Sequence, residues 1–299
     1  MPRTARGAIT LAEEQPRSRA RRRGGAVVVL GLVAVLGTGA YLGVRHLQGL
    51  VGRERCEVTA SGMTFEWAPD QASNAAAITA IAVQRDLPPR AATIAIATAM
   101  QESKVRNVRF GDRDSLGLFQ QRPSQGWGTA KQILNPEYST NRFYDALVKV
   151  DGYSDMDIAQ AAQAVQRSAA GRAYAQHESQ ARVTASALSG ETASGVGCAL
   201  QDPDSRGDAE AVAALVTKDF GIPAEAGDRR VTVQADSDEQ AWAVASWAVA
   251  RATDTDAVRV TVGNNEWVRS MKKSALRWST VDDGPDAGAR NPRAVTIHL

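Results

Sequence analysis

The chain is poor in groups that hold metals. Its 299 residues contain two cysteines and three histidines, His46, His177 and His298. They show no C-x-x-C or H-x-x-x-H spacing. That excludes a cysteine-rich metal module and a disulfide-dense miniprotein, and neither a metal nor a cofactor is expected. There is no internal repeat and no long low-complexity tract, which excludes a collagen-like chain. With 43% hydrophobic residues the chain is not disordered either. Only one long uncharged run occurs, so a multispanning membrane protein is excluded as well. An excess of one charge is also missing, because 35 Lys+Arg against 33 Asp+Glu leave +2. Residues 1–23 carry seven arginines against Glu13 and Glu14, a local +5, so the remainder sums to −3. The basic character therefore belongs to a tail, and no nucleic-acid partner is expected.

The single uncharged run, Gly24 to Val44, is rich in Val, Leu, Ala and Gly. As a helix it would be roughly 31 Å long, matching a hydrocarbon core of ~30 Å. Arg21, Arg22 and Arg23 precede it, so the positive-inside rule keeps the N-terminus in the cytoplasm. The expectation is a single-pass cell-membrane protein with one N-terminal transmembrane helix and the bulk of the chain extracytoplasmic. The alternative is a cleaved signal peptide with Thr38-Gly39-Ala40 as the cleavage site. Either reading exports the rest of the chain, where Cys56 and Cys198 are expected to pair. Their bond would clasp residues 57–197, worth roughly 5 kcal/mol in the chain-entropy treatment.

Composition divides the chain into a basic cytoplasmic tail (1–23), a transmembrane anchor (24–47), a mainly helical domain (48–198), a Gly/Ser/Pro-containing linker (199–207) and a small α+β domain (208–299). In the helical domain, Asp70 is expected to cap a helix through Ala75, Ile78, Ile81 and Ala82. A second helix starts after Leu87-Pro88-Pro89 and runs to Gln101-Glu102-Ser103. A third is expected over Asp157–Ala181, with 106–136 loop-rich between them. In the last domain a helix over Asp208–Asp219 stops at Gly221. Strands are expected at Arg230–Ala235, Val258–Val262 and Ala294–His298. A helix opened by Ser237 and Gln240 as a capping box runs to about Ala252. Trp242, Trp247, Trp267 and Trp278 are expected in the core rather than stacked on sugars.

Glu102 shares a helical stripe with Ile94, Ala95 and Thr98, so its carboxyl projects from a partly apolar face. Such surroundings disfavour the charged form of a carboxyl group. An acid that keeps its proton is what glycosidic cleavage needs in order to protonate a leaving oxygen. Gln101-Glu102-Ser103 is followed by Ser115-Leu116-Gly117-Leu118-Phe119-Gln120-Gln121. Together these segments resemble the lysozyme-like superfamily of soluble lytic transglycosylases and goose-type lysozymes, over residues 65–182. In that family a helix ends in Glu-Ser and a G-L-[MF]-Q segment lines the cleft. The resemblance implies Glu102 as the catalytic acid, Ser103 as its orienting neighbour and a substrate contact, and Gln120 and Gln121 as further substrate contacts. It also implies a tyrosine near the acid, for which Tyr174 is the candidate. The family's A-Y-N-A-G segment is absent, and Gln163 to Ser168 stand roughly in its place. The C-terminal domain resembles no family.

The resemblance implies a membrane-anchored peptidoglycan-cleaving enzyme acting on glycan strands. With Glu102 alone, the N-acetyl group of the sugar assists departure and a 1,6-anhydro ring closes, giving a lytic transglycosylase. With a second carboxylate, Asp112 or Asp114, water would be activated and hydrolysis would follow. The transglycosylase outcome is preferred. The alternative is a non-catalytic envelope protein, binding glycan or acting as a scaffold in a secretion or transfer complex. Its C-terminal domain would then take a protein partner. Lys104, Arg106, Arg109, Arg113, Arg122 and Lys131 against Asp112 and Asp114 leave this region at +4, which suits an acidic polymer.

Overall fold

The computed structural model describes residues 52–166, 171–281 and 290–299. The tail (1–23) and the anchor (24–47) lie outside the described residues. Among the described residues no helix is long and apolar enough to cross a membrane. The described chain is α+β, with nine α-helices and two antiparallel sheets.

The region expected to be helical opens with a hairpin, β1 (Arg55–Ala60) and β2 (Met63–Trp67), turned by Ser61 and Gly62 with φ of 50° and 76°. Along β1 half-buried and buried residues alternate, so Cys56, Val58 and Ala60 face the core. This period of two is the signature of a strand with one covered face. On its other side β1 pairs with β3 (Val196–Ala199), giving the order β2-β1-β3. Cys56 stands opposite Cys198 in that register, and the two are joined by a disulfide with their Cα atoms 4.0 Å apart.

Helix α1 (Pro69–Gln84) follows the hairpin and α2 (Pro89–Ser103) follows α1. Asp70 does not cap α1. Proline at the first helical position sets the boundary at Ala68, whose N–H donates to Gln71 Oε1 at 3.1 Å. Asp70 instead pairs with Arg106 at 2.7 Å. After the loop region come α3 (Ala130–Ile133), α4 (Pro136–Leu147) and α5 (Ile158–Gln166). The single helix expected over Asp157–Ala181 is divided. α5 covers Ile158–Gln166, a 3₁₀ segment covers Gly171–His177, and α6 spans Glu178–Leu188. Glycine is a poor residue for a helix interior, and Gly171 belongs to the 3₁₀ segment.

The C-terminal half holds α7 (Ala209–Phe220), β4 (Ala224–Gly227), β5 (Arg230–Gln234), α8 (Asp238–Ala250) and α9 (Ala252–Thr255). It continues with β6 (Arg259–Val262), β7 (Asn265–Val268), β8 (Ser279–Thr280) and β9 (Ala294–His298). The strands form one sheet in the order β4-β5-β9-β6-β7-β8. Asp208 caps α7 and Gly221 closes it at φ 72°. Ser237 Oγ accepts from the Gln240 N–H at 3.0 Å, whereas Gln240 Oε1 reaches the N–H of Asp236, one residue before a true capping box. Trp247 and Trp267 are buried, while Trp242 and Trp278 meet edge to face, half-buried, with centroids 5.1 Å apart.

Residues 199–207, expected to be a linker, do not hold two bodies apart. The segment begins inside β3, its Leu200 is buried, and the Leu200 N–H donates to Ser270 O at 3.1 Å. The Arg269 guanidinium grips the Gln201 carbonyl and, through Nη1, those of Ala252 and Ala257. Helix α1 packs against α7 and α8 as well as against α2 and α6. Gly190 permits a close approach between the halves, since a Cβ there would fall 1.9 Å from Glu239 O at the start of α8.

Candidate functional site

Helix α2 is built to be surrounded. Ala91, Ala92, Ala95, Ala97 and Ala99 are all buried, together with Ile94 and Ile96. Small side chains let α1, α5, α6 and the 3₁₀ segment pack closely around it. Beyond Ala99 the helix leaves the core, and its last turn carries Gln101, Glu102 and Ser103, each half-buried.

The exit from α2 is tightly held. Lys104 and Val105 both take left-handed backbone, at φ 57° and 56°. A β-branched residue is rare there, and each such residue costs about 1–3 kcal/mol. Burial of Val105 in the core offsets part of that. The Val105 N–H bonds Ala99 O at 2.9 Å, and Gln71 and Asn74 of α1 donate to the carbonyls of Lys104 and Val105 at 2.8 and 2.9 Å. The end of the helix is thus fixed from two sides.

Glu102 Oε1 accepts a hydrogen bond from the Tyr174 hydroxyl at 2.6 Å. Tyr174 lies 72 residues away in sequence and is fully buried on the 3₁₀ segment. The same segment holds the preceding residue: Gln176 Nε2 donates to Gln101 Oε1 at 3.2 Å, and His177 Nε2 lies 3.1 Å from that oxygen. Burial pushes the His177 pKa below its ordinary value, which favours the neutral ring in this contact. Glu102 Oε2 has no hydrogen-bond partner among the described residues.

Ser103 was expected to meet substrate, but the fold consumes its hydroxyl. Oγ donates to Leu118 O at 2.7 Å and Ala99 O at 3.1 Å, and accepts from the Arg106 N–H at 3.2 Å. It pins the Gly117-Leu118-Phe119-Gln120 segment to the end of α2. Gly117, at φ +78°, has room for no side chain, since a Cβ would lie 2.8 Å from Ile133 O. Leu118 and Phe119 are buried, and Phe119 stacks on Phe143 at 4.6 Å. Gln166 Nε2 donates to Phe119 O at 2.7 Å. Leu116 and Gln121 close the segment through two reciprocal backbone bonds of 3.0 Å.

The two glutamines then part ways. Gln120, half-buried and at φ 50°, reaches across to Phe110 O at 3.4 Å and Gly117 O at 3.3 Å. Gln121 is 1% exposed and donates to Ser139 O at 3.0 Å, so it supports the fold and is not placed to meet substrate. Adjacent residues at the closing bridge point to opposite sides, and this one points inward.

Neither candidate second carboxylate is arranged for water activation. Asp114 accepts from Arg122 Nε at 2.7 Å, Ser124 N at 2.8 Å and Ser124 Oγ at 3.0 Å, occupying both of its oxygens. These bonds, that to Arg122 first, hold its carboxyl well below the usual carboxylate range. The Asp112 side chain is 92% exposed, with Arg113 4.0 Å away.

A cleft of about 740 Å³ opens nearby, lined by Trp127, Arg142, Asp145, Lys149, Val165 and Gln166 among others. Glu102 does not line it, but Gln166 joins its wall to the Phe119 backbone. The sequence does not mark Gln101, Gln166 and His177 as site residues in their own right. Their only signal was position, one before Glu102, at the end of α5, and three after Tyr174. No protein-family profile matches the chain, and no curated protein is significantly similar to it.

Proposed function

We propose that this chain cleaves the glycan strands of peptidoglycan outside the cytoplasm, with Glu102 as general acid and then general base. The observation that carries the reading is the 2.6 Å bond from Tyr174 to Glu102. It joins an acid at a helix end to a buried hydroxyl on a distant segment, beside a G-L-F-Q turn that Ser103 ties to the same helix.

In this reading Tyr174 occupies Oε1, so the proton to be transferred sits on Oε2. Glu102 delivers it to the glycosidic oxygen as the bond to the muramic acid anomeric carbon breaks. The sugar's own N-acetyl oxygen stabilises the developing positive charge. Glu102 then takes the proton of the sugar's 6-hydroxyl as that oxygen closes on the anomeric carbon, giving a 1,6-anhydro product and restoring the acid. The engagement of Asp114 and the exposure of Asp112 favour this transglycosylase route over hydrolysis, which needs a positioned second carboxylate.

Purified peptidoglycan incubated with the full chain and with Glu102→Gln, followed by mass spectrometry, tests the proposal. Anhydro-muropeptides released by the wild type and lost in the variant are expected. Reducing-end products would replace transglycosylation by hydrolysis. Retained binding with no release would assign the chain to the non-catalytic glycan-binding or scaffold reading, which the missing A-Y-N-A-G segment favours.

A further inference from the structure

Phe110 is the most exposed of the large apolar side chains among the described residues, at 77%. A phenylalanine in a slack loop could fold inward, but this loop is fastened along its length. Asn107 Nδ2 donates to Leu134 O at 2.8 Å, and the Gly117 N–H donates to Val108 O at 2.8 Å. Gln120 bonds the carbonyl of Phe110 itself, and the Ser115 N–H bonds Asp112 O at 3.0 Å. Gly111 lies so close to Gln120 that a Cβ would fall 1.8 Å from its Oε1. The ring is therefore held out into solvent by a backbone that cannot retract it.

Its position is as informative as its exposure. The Gln120 that holds Phe110 is two residues from Leu118, at most about 7 Å of chain, and Leu118 O is bonded to Ser103, next to Glu102. Arg109 and Lys104 are exposed and make no ion pair among the described residues. An aromatic face packs against the C–H face of a pyranose ring, and an unpaired guanidinium attracts a carboxylate.

We propose that Phe110 and Arg109 form a binding platform for a carboxylate-bearing sugar of the glycan whose neighbouring bond meets Glu102. The platform deepens the glycan-cleaving reading and rests on it. The carboxylate comes either from the lactyl ether of muramic acid or from a stem peptide.

The test uses the full chain as Glu102→Gln in neutral-lipid nanodiscs, so that binding is read without cleavage. Three ligands are titrated: peptide-free glycan strands, strands with intact stem peptides, and chitohexaose, which has no carboxylate. Phe110→Ala is expected to weaken all three about tenfold, and Phe110→Tyr to restore them. Arg109→Ala is expected to weaken only the carboxylated ligands, about threefold. A loss already present with peptide-free strands assigns the lactyl group, and a loss confined to intact strands assigns the peptide. Unchanged glycan affinity in Phe110→Ala overturns the platform. Because binding is measured apart from turnover, a wild type that releases nothing would defeat the catalytic reading and leave this result to stand or fall separately.

Discussion

Tyr174→Phe removes one oxygen and nothing else from the centre of the proposed site. The ring keeps its fully buried seat, and the donor to Glu102 Oε1 at 2.6 Å is lost. A hydrogen bond contributes about 0.5–1.5 kcal/mol to a neutral acceptor and 1.5–3 kcal/mol to a charged one. Glu102 alternates between these forms in the proposed cycle, so about 1.5 kcal/mol is expected, close to tenfold in rate. Because Tyr174 acts through Glu102, the loss should fall on kcat and leave KM unchanged. Glu102→Gln removes the transferable proton itself and should cost roughly 10²–10⁴. Initial rates of muropeptide release, with thermal midpoints beside them, measure all three proteins. A Tyr174→Phe enzyme with wild-type rate and stability would refute the positioning role. A large stability loss with a proportionate fall in active protein would move the tyrosine from the site to the core.

Replacing Cys56 and Cys198 by serine, or reducing the bond, should lower unfolding stability by up to about 5 kcal/mol for a loop of 142 residues; an unchanged denaturant midpoint would show that sheet pairing alone holds β1 to β3. Gly190→Ala, at φ +90° with its Cβ 1.9 Å from Glu239 O, should cost about 3 kcal/mol or more, and a wild-type melting temperature would contradict the tight seam. Asp114 has a depressed folded pKa, so its contribution is complete above the unfolded value of about 3.9 and disappears as pH falls further. The stability gap between wild type and Asp114→Asn should stay constant from pH 8 to 5 and shrink below about pH 4; shrinkage already between pH 7 and 5 would overturn that assignment.

What could be read from sequence depended on whether the signal was local. Asp208 and Gly221 bracket α7 as caps do, and the alternation in Ala294–His298 gives β9 with its observed ends. The hairpin at Arg55–Trp67 also alternates, with Cys56, Val58 and Ala60 on one face, but each strand is too short for the pattern to stand out from its surroundings. Strand β4, Ala-Glu-Ala-Gly, has no such pattern and exists because β5 pairs with it. In the site, Glu102 and the Gly117 turn were legible because helix end and glycine constrain the chain nearby. Tyr174 was reached only through resemblance, because its meeting with Glu102 depends on a 3₁₀ segment 72 residues away. Gln120 and Gln121 were indistinguishable, since a bridge residue's inward or outward direction is decided by its partner strand.

The pairing of Cys56 with Cys198 across β1 and β3 also fixes how the molecule carries a mechanical load. A pull applied between the chain before Cys56 and the chain after Cys198 passes through two sulfur atoms and skips the residues enclosed between them. About 480 Å of extended chain, at ~3.4 Å per residue, is thereby kept out of the tension line. Helix α2, the Gly117 turn and the 3₁₀ segment all lie within that sheltered loop. A tug between those two ends would strain the C-terminal half first and leave the distance between Glu102 and Tyr174 untouched until the disulfide itself gave way.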